Sequence, residues 1–350
     1  MRSNPLTSAG AGKETEVFTF MEVCGTHTVA ISRWGLRKIL RENIRLISGP
    51  GCPVCVTSQA DIDKTILLAR KKNAIITTFG DMLRVPSRLG SLEREKAQGR
   101  DIRVVYSPLD ALKMAEDNPH KKIVFLGVGF ETTSPLIASV ILTAKRKKIK
   151  NFFVLPLFKL IFPALEFLSK AKDLNIDGFI CPGHVSVITG SKPYEVISKK
   201  YKKPCVITGF EAEDIIEGII KLVRQKKKKV SRVEIAYKRA VKSGGNTKAK
   251  ELIKKVFKVN DSFWRGLGLI KKSGLVLREE FKEFSAEEEF KLREVKSSYE
   301  LKGCICGEIL KGKFKPSDCK LFGKVCTPQK PVGPCMVSSE GACSAYYKYE

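Results

Sequence analysis

The sequence predicts an α/β protein with two small parallel-sheet units, followed by an irregular, mostly helical C-terminal region. Three observations support this prediction. Short apolar runs alternate with stretches of helical length from Phe18 to about Arg224. The apolar runs are nearly continuous, which is typical of strands in sheets covered by helices on both faces. After residue 230 the alternation stops, and the last residues are rich in cysteine, glycine and proline.

Eight apolar segments are predicted to be strands: 18–23, 44–47, 74–78, 102–106, 123–126, 152–155, 178–180 and 205–208. Segments with the length and pattern of helices lie between most of them, for example 62–72, 109–118, 136–147 and 214–225. This order predicts Rossmann-like units. We expect an N-terminal tail at 1–17, a first α/β domain at 18–119, a second at 120–230, and a C-terminal domain at 231–350. The pattern from 231 to 293 is helical but irregular.

Composition narrows the class of protein. The chain has 350 residues, of which 43% are hydrophobic, so it has enough apolar residues for a globular core. No apolar run approaches the roughly 18–20 residues that a membrane helix needs, and residues 1–17 lack the apolar stretch of a secretory signal. We therefore expect a cytoplasmic protein with no membrane partner.

The formal charge of +27 has two interpretations. One is a surface that binds nucleic acid or an anionic membrane. The other is a lysine-rich, solvated surface. The lysines occur in short runs at predicted helix ends, such as 145–148 and 226–229, without interleaved aromatic residues, and no nucleic-acid-binding signature is present. The second interpretation is favoured, and no nucleic-acid partner is predicted.

Polar motifs follow several predicted strands. Cys24 and His27 follow the first, Cys52 and Cys55 the second, Glu131 the fifth, and His184 the seventh, while Gly-Phe-Glu at 209–211 follows the eighth. Ligands bind at the carboxyl ends of the strands in open parallel sheets, so these motifs predict one or two neighbouring sites. Glu131 and His184 suit acid–base or hydrogen-bonding roles in a cleft, and a purely structural role for each is equally compatible with the pattern.

Cys24 lies where a strand gives way to a helix. Backbone N–H groups and the helix dipole stabilise a thiolate at such a position, so Cys24 is predicted to be a metal ligand or a nucleophile, with a buried structural cysteine as the alternative. Cys52-Pro-Val-Cys55 is a C-x-x-C motif between a strand and a helix. That context favours a reversible thiol–disulfide pair, because zinc knuckles require a second C-x-x-C and the chain has none.

The C-terminal residues contain six of the eleven cysteines: Cys304, Cys306, Cys319, Cys326, Cys335 and Cys343. In a reducing compartment this enrichment indicates metal ligation or redox chemistry. No histidine lies in this region, so thiolates alone would bind the metal. The long gaps between these cysteines favour an iron–sulfur cluster over zinc. Spacing alone leaves open which four of the six are ligands.

Six ordered motifs carry a family resemblance: MEVCGTHT from residue 21, GPGCPVC from 49, GFETT from 129, PGHV from 182, WRGLG from 264 and GPCMVSSEGAC from 333. They resemble the motifs of the HypD family of [NiFe]-hydrogenase maturation factors, over a span from about Phe18 to the C-terminus. The resemblance implies a scaffold on which an iron atom receives two cyanides and one carbon monoxide. It also implies a small HypC-type partner, HypE with HypF as the cyanide donor, and a monomer that forms hetero-complexes.

The resemblance also implies roles for individual residues. Cys24 would bind the iron together with a cysteine of the HypC-type partner, and Cys52 and Cys55 would form a redox pair. His27, Glu131, His184 and Glu340 would surround the cleft. A [4Fe–4S] cluster would be bound by the cysteines that fit the family pattern C-x14-C-x6-C-x16-C: Cys304, Cys319, Cys326 and Cys343. Cys306 and Cys335 fall outside that pattern.

Two other functions remain open from the sequence. The first is a thiol–disulfide oxidoreductase that uses Cys52 and Cys55 with an iron–sulfur electron source. The second is a structural zinc protein with a binding function. The leading hypothesis is a scaffold and redox maturation factor rather than a turnover enzyme.

Overall fold

The computed structural model describes residues 16–171, 173–292, 295 and 302–350. Most of the predicted tail at 1–17 therefore lies outside the described residues. The strands are β1 (Phe18–Glu22), β2 (Ile44–Ser48), β3 (Ala74–Thr78), β4 (Ile102–Val104), β5 (Lys122–Gly129), β6 (Phe152–Phe158), β7 (Gly178–Cys181), β8 (Cys205–Ile207), β9 (Val233–Ile235), β10 (Phe257–Trp264) and β11 (Gly268–Leu277).

The helices are α1 (Gly25–Arg33), α2 (Leu36–Ile39), α3 (Pro53–Val56), α4 (Gln59–Ala69), α5 (Leu92–Ala97), α6 (Pro108–Asp117), α7 (Ser134–Arg146), α8 (Ile161–Lys170), α9 (Gly183–Thr189), α10 (Glu195–Tyr201), α11 (Ala212–Lys227), α12 (Thr247–Val256), α13 (Ala286–Glu289), α14 (Cys306–Leu310), α15 (Pro334–Val337) and α16 (Ala342–Tyr349). None of the described helices is both long enough and apolar enough to cross a bilayer.

Two parallel sheets confirm the predicted α/β class. The first has the strand order β2-β1-β7-β8-β9, and the second has the order β4-β3-β5-β6. Every pairing within them is parallel. Their central strands are buried on both faces, which explains why they appear in the sequence as continuous apolar runs.

The strands are not divided between the sheets in the order expected from the sequence. The expected boundary between residues 119 and 120 falls between β3 and β5, which pair directly, with Ala74 opposite Lys122. The first sheet instead takes two strands from before the second sheet and three from after it. Apolar periodicity marks each strand but carries no information on its pairing partner, so the sequence pattern suggested consecutive units.

The fifth and sixth strands are longer than predicted. The strand predicted at 123–126 extends through Gly127 and Gly129, which are part of β5 rather than of a turn after it. A Cβ on Gly127 would lie 2.9 Å from the Phe158 ring, and one on Gly129 would lie 2.5 Å from Thr133 Cβ. Close packing at both positions therefore requires glycine. Glu131 lies after the end of the strand.

The C-terminal region is helical and irregular, with one exception. Residues 257–277 form an antiparallel hairpin of β10 and β11, which the sequence analysis did not predict. The register shifts between Asn260 and Ser262, as at a β-bulge. The hairpin packs its buried Trp264 inward, and the indole N–H donates a hydrogen bond to Ser273 Oγ at 2.8 Å.

Candidate functional site

Cys24 lies between the carboxyl end of β1 and the first residue of α1, as the sequence predicted. It has an extended backbone, and its carbonyl accepts the hydrogen bond from Thr28 N that opens the helix. The side chain is buried. A thiol at this position is held by secondary structure on both sides, so its direction is set by the strand and the helix together.

Two glycines bring neighbouring segments against Cys24. Gly25 N donates a hydrogen bond to Gly51 O at 2.9 Å, and a Cβ on Gly51 would overlap the Cys24 backbone. A Cβ on Gly25 would lie 2.5 Å from Glu340 Cβ. The motifs around residues 24, 51 and 340 therefore meet at one point, although hundreds of residues separate the first from the last.

Burial dominates the acidity of Cys24. It raises the pKa of the thiol to about 11, and the negative charge of Glu340 adds to the rise. Backbone N–H groups of His27 and Thr26 lower the pKa, but by less. The sequence analysis expected the helix terminus to favour a thiolate. The terminus acts in that direction, but desolvation outweighs it, so the thiol is protonated near neutral pH.

His27 is buried and neutral. Its Nε2 donates a hydrogen bond to Gly209 O at 2.8 Å and lies 2.9 Å from Thr208 Oγ1. Burial lowers the pKa of His27 to about 4. Nδ1 is buried without a partner among the described residues. With Nε2 protonated, Nδ1 carries the free lone pair and is available as an acceptor.

Phe210 lies between the two histidines of the site. Its ring centroid is 4.8 Å from that of His27 and 4.1 Å from that of His184. The sequence analysis noted the Gly-Phe-Glu motif at 209–211 but assigned no role to Phe210. The ring stacks on His184 and is tilted relative to His27, so one apolar ring packs against both imidazoles.

Glu340 reaches the site from the C-terminal region. Thr26 Oγ1 donates a hydrogen bond to Glu340 Oε1 at 2.8 Å. The negative charge of Glu340 raises the pKa of His184, against the larger lowering by burial. Glu340 is thus electrostatically coupled to both Cys24 and His184. Thr26 was part of a predicted motif, but its contact with Glu340 depends on the tertiary fold.

Cys52 and Cys55 are joined by a disulfide. The pair is buried at the start of α3, and Cys55 N donates a hydrogen bond to Cys52 Sγ at 3.1 Å. Cys55 Sγ lies 3.9 Å from Pro334 O, so the C-terminal motif GPCMVSSEGAC contacts this pair as well as Cys24. A C-x-x-C pair at a helix start is the arrangement used by reversible dithiols.

A second set of cysteines lines one cavity in the C-terminal region. Its other walls are apolar and include Ile309, Leu321 and Phe322. All six C-terminal cysteines contribute to the lining: Cys304, Cys306, Cys319, Cys326, Cys335 and Cys343. The fold therefore brings together residues whose proximity the sequence analysis could only infer from composition.

Cys306 and Cys335 form a close pair within this cavity. Their Sγ atoms are 2.7 Å apart, and both side chains are buried. Both are free thiols, and each also contacts a cysteine that fits the family pattern: Cys306 contacts Cys304, and Cys335 contacts Cys343. The remaining four are Cys304, Cys319, Cys326 and Cys343, and Val332 N donates a hydrogen bond to Cys326 Sγ at 3.3 Å. Such N–H donors to sulfur are typical of iron–sulfur ligands.

The donor set of this cavity consists of thiols, with no histidine or carboxylate in its lining. Among the described residues, no three or more His, Cys, Asp or Glu side chains lie close enough to hold one metal ion. A four-iron cluster spreads its cysteine ligands over the corners of a larger body than one ion does. An apolar cavity lined by thiols, without histidine or carboxylate, therefore fits the [4Fe–4S] cluster that the family resemblance implies.

Glu131 contacts a different part of the molecule. Its carboxylate accepts a hydrogen bond from Ile161 N at 3.1 Å, at the start of α8, and burial raises its pKa to about 7. It lines a separate cavity with residues of α8 and the β10–β11 hairpin. The prediction that motifs at strand ends form one or two sites thus leads to two sites, with Glu131 in the second.

Comparison with known proteins places the chain in a family. A family model named HypD, described as the hydrogenase formation hypA family, matches residues 7–350. The hydrogenase maturation factor HypD of Cupriavidus necator is 47% identical over 340 residues, which cover 95% of this chain and 89% of that protein. HypD of Escherichia coli K12 is 46% identical over 330 residues, covering 94% and 88%. A hydrogenase expression/formation protein of Methanocaldococcus jannaschii is 46% identical over 329 residues, covering 94% and 91%.

These matches cover nearly the whole chain, and the range matched by the family model contains every cysteine motif described above. They agree with the resemblance found in the sequence. The chain belongs to the HypD family of hydrogenase maturation factors.

Proposed function

We propose that the protein is a scaffold on which the iron centre of a [NiFe]-hydrogenase is assembled, with Cys24 as the iron-binding thiolate. The observation that carries the proposal is that one C-terminal segment lies against the surroundings of three sulfur groups: Cys24, the Cys52–Cys55 disulfide and the thiol-lined cavity. The segment from Gly333 to Cys343 contacts all three, through Pro334 O, Glu340 and its own cysteines.

Cys24 is suited to bind iron that is the substrate of assembly rather than a resident cofactor. Its thiol is protonated at neutral pH because burial raises its pKa to about 11. Iron binding would displace the proton, so the site binds metal only with proton release. A thiolate is a soft ligand for low-spin iron that carries cyanide and carbon monoxide. His27 Nδ1 is buried without a partner among the described residues, and it can accept a hydrogen bond from a donor of a neighbouring group.

A resident [4Fe–4S] cluster would be bound by Cys304, Cys319, Cys326 and Cys343. Such a cluster supplies electrons one at a time. The chain's own residues exclude water from it through Ile309, Leu321 and Phe322, and the Val332 N–H stabilises negative charge on Cys326 Sγ. Cys306 and Cys335 lie in the same cavity as a thiol pair that can form a disulfide.

The Cys52–Cys55 disulfide is the oxidised form of a two-electron thiol–disulfide couple. Its reduction takes two electrons and two protons and yields two thiols beside Cys24. In this proposal the two thiols provide the reducing equivalents that keep the bound iron ferrous while its diatomic ligands are added. Burial protects the pair from adventitious thiols, which favours exchange with neighbouring groups of the same chain.

The proposed partners follow from the same family assignment. A small HypC-type protein would supply a second cysteine ligand for the iron, and HypE with HypF would deliver cyanide. The protein would act as a monomer that enters hetero-complexes, with no turnover of its own outside them.

Infrared spectroscopy tests the proposal. The anaerobically purified complex with a HypC-type partner should show cyanide and carbonyl stretching bands, and Cys24→Ala should lose them. Cys205→Ala, which removes another buried thiol, is the matched control and should keep them. Bands of equal intensity in Cys24→Ala would show that another residue binds the iron.

A thiol–disulfide oxidoreductase is the second candidate, and the close Cys306–Cys335 pair beside a C-x-x-C disulfide favours it. It requires turnover of a disulfide substrate that depends on Cys52 but not on Cys24. Activity in Cys24→Ala together with its loss in Cys52→Ser would support this function over the scaffold.

A further inference from the structure

A cavity of about 660 Å³ lies beside the hairpin, away from the cysteine motifs. Its lining comes from α8, from Pro193 and Tyr194, and from both strands of the hairpin, and it includes Glu131. This volume falls within the range of roughly 300–1,000 Å³ that is typical of small-molecule sites. Nothing proposed for Cys24 uses this space.

Glu131 forms the polar floor of the cavity. It is buried; its two oxygens lie 3.1 and 3.4 Å from the backbone N–H of Ile161, which donates to them, and its own backbone N–H also interacts with the carboxylate. A carboxyl group can accept about four hydrogen bonds, so most of its capacity is unused. Glu131 can therefore accept a further hydrogen bond from an N–H or O–H group of a ligand.

The walls are largely apolar. Leu160, Phe162, Phe167, Val259 and Leu269 contribute side chains to them. Phe167, Val259 and Leu269 remain 38%, 54% and 50% exposed. Large apolar side chains left this exposed around a concave surface are typical of ligand-binding grooves. The middle of the cavity is suited to a ring-sized apolar body.

Lysines line the mouth. Lys271 and Lys272 are exposed, and Lys170 lies near them, paired with Glu166 at 3.3 Å. Lys272 has a positive φ of 55° within β11, and its N–H donates a hydrogen bond to Asp261 Oδ1 at 2.8 Å beside the bulge. A bulge at this point redirects the side chains of the strand. The lining of the cavity thus combines two exposed lysines with one buried carboxyl group.

We propose that this cavity binds a small organic anion. The ligand has a hydrogen-bond donor for Glu131, an apolar body of ring size for the walls, and an anionic group for Lys271 and Lys272. The hydrogen-bond donor faces Glu131 and the anionic group faces the lysines, so the ligand binds in one orientation. The inference is independent of the iron chemistry proposed for Cys24.

The probe 8-anilinonaphthalene-1-sulfonate has all three features: an aniline N–H, fused rings and a sulfonate. Fluorescence titration of the full-length protein should give saturable binding of one probe per chain. The double variant Lys271→Glu/Lys272→Glu should weaken binding roughly tenfold or more. The control Lys254→Glu/Lys255→Glu makes the same charge change on exposed lysines of α12 and should leave the affinity within about twofold.

A second pair of variants tests the walls. Phe167→Ala should weaken binding roughly tenfold, because Phe167 lines this cavity. Phe263→Ala removes an exposed ring that lines the neighbouring cavity instead, and should have no effect. Glu131→Leu removes the acceptor and should weaken binding, whereas Glu131→Gln keeps an acceptor oxygen and should retain it. Equal affinities in the cavity variants and their controls, or unsaturable binding, would overturn the proposal.

Discussion

The Cys24 site and the Glu131 cavity both begin at the carboxyl end of a parallel strand, but they are built in opposite ways. At Cys24, three segments close on one thiol, and glycines at 25 and 51 let their backbones touch. At Glu131, the hairpin, α8 and the residues Pro193 and Tyr194 leave a cavity of about 660 Å³ between them. The first site is preformed by contact between distant motifs, and the second by space between secondary-structure elements.

The difference also appears in electrostatics. Burial raises the pKa of Glu131 to about 7 and lowers the pKa of His27, beside Cys24, to about 4. In each case folding favours the neutral form, because desolvation penalises charge. Since one group is an acid and the other a base, the two regions should depend on pH in opposite directions.

The largest expected effect comes from filling the contact at Cys24. Gly51→Ala would place a Cβ on the Cys24 backbone, where no flexible side chain can yield. We expect a loss of about 3 kcal/mol or more in the free energy of unfolding, measured by urea denaturation.

Gly80→Ala is the matched control, because a Cβ there meets nothing closer than Val104 Cγ1 at 3.8 Å. Its free energy of unfolding should stay within about 0.5 kcal/mol of the wild type. If the two alanine variants were equally stable, the segments around Cys24 would have to be able to move apart, and the site would not be preformed.

Glu131 should make the protein less stable as pH rises. Its pKa is 4.5 in the unfolded chain and about 7 in the fold, so the folded state retains the proton over that interval. The contribution of Glu131 to the free energy of unfolding is fully present below pH 4.5. It is lost as pH rises through 7, by roughly 3 kcal/mol. Glu131→Gln should remove this slope and be more stable than the wild type at pH 8. A slope unchanged by the substitution would mean that Glu131 is solvated.

His27 should act in the other direction. Its pKa falls from 6.5 in the unfolded chain to about 4 in the fold, so the unfolded state takes up the proton first. The contribution of His27 to the free energy of unfolding is fully present above pH 6.5. It is lost, by roughly 3 kcal/mol, as pH falls through 4. His27→Gln should abolish this loss. Urea unfolding between pH 4.5 and 6.5 should show stability rising with pH in Glu131→Gln and falling with pH in His27→Gln.

The secondary structure was largely predictable, but the order of the sheets was not. Short apolar runs marked β1 to β8, most clearly the strands that are buried along nearly their whole length, such as β1, β3 and β5. Pairing of β1 with β7 joins residues about 160 positions apart, which no local pattern encodes. The hairpin was missed because four consecutive residues of β10, from Lys258 to Asp261, are exposed and all but Val259 are polar. The strand therefore lacks the alternation of apolar and polar residues that is typical of a half-buried strand.

The cysteine motifs identified the site, and the tertiary fold supplied its surroundings. Cys24, Cys52 and Cys55 stood out because thiols at strand ends are rarely inert. The coupling of Glu340 to Cys24 and the stacking of Phe210 between two histidines depend on contacts between distant segments. Apart from Glu131, no sequence motif marks the Glu131 cavity. A cavity between secondary-structure elements depends on how those elements pack, and a local sequence pattern does not encode that.

The smallest expected effect concerns the charge of Glu340 at Cys24. After burial, that charge is the next largest cause of the raised pKa of the thiol. Glu340→Gln keeps an oxygen that can accept the Thr26 hydrogen bond but removes the charge, so the pKa of Cys24 should fall. Alkylation of Cys24 by iodoacetamide at pH 8, followed by peptide mass spectrometry, should become about three- to tenfold faster, since the thiolate is the reactive form. Cys205, buried in β8, provides the internal control and should react at an unchanged rate. Equal acceleration at both thiols would indicate general loosening of the fold, whereas acceleration at Cys24 alone would show that a residue from the C-terminal region sets the acidity of a thiol in the first α/β sheet.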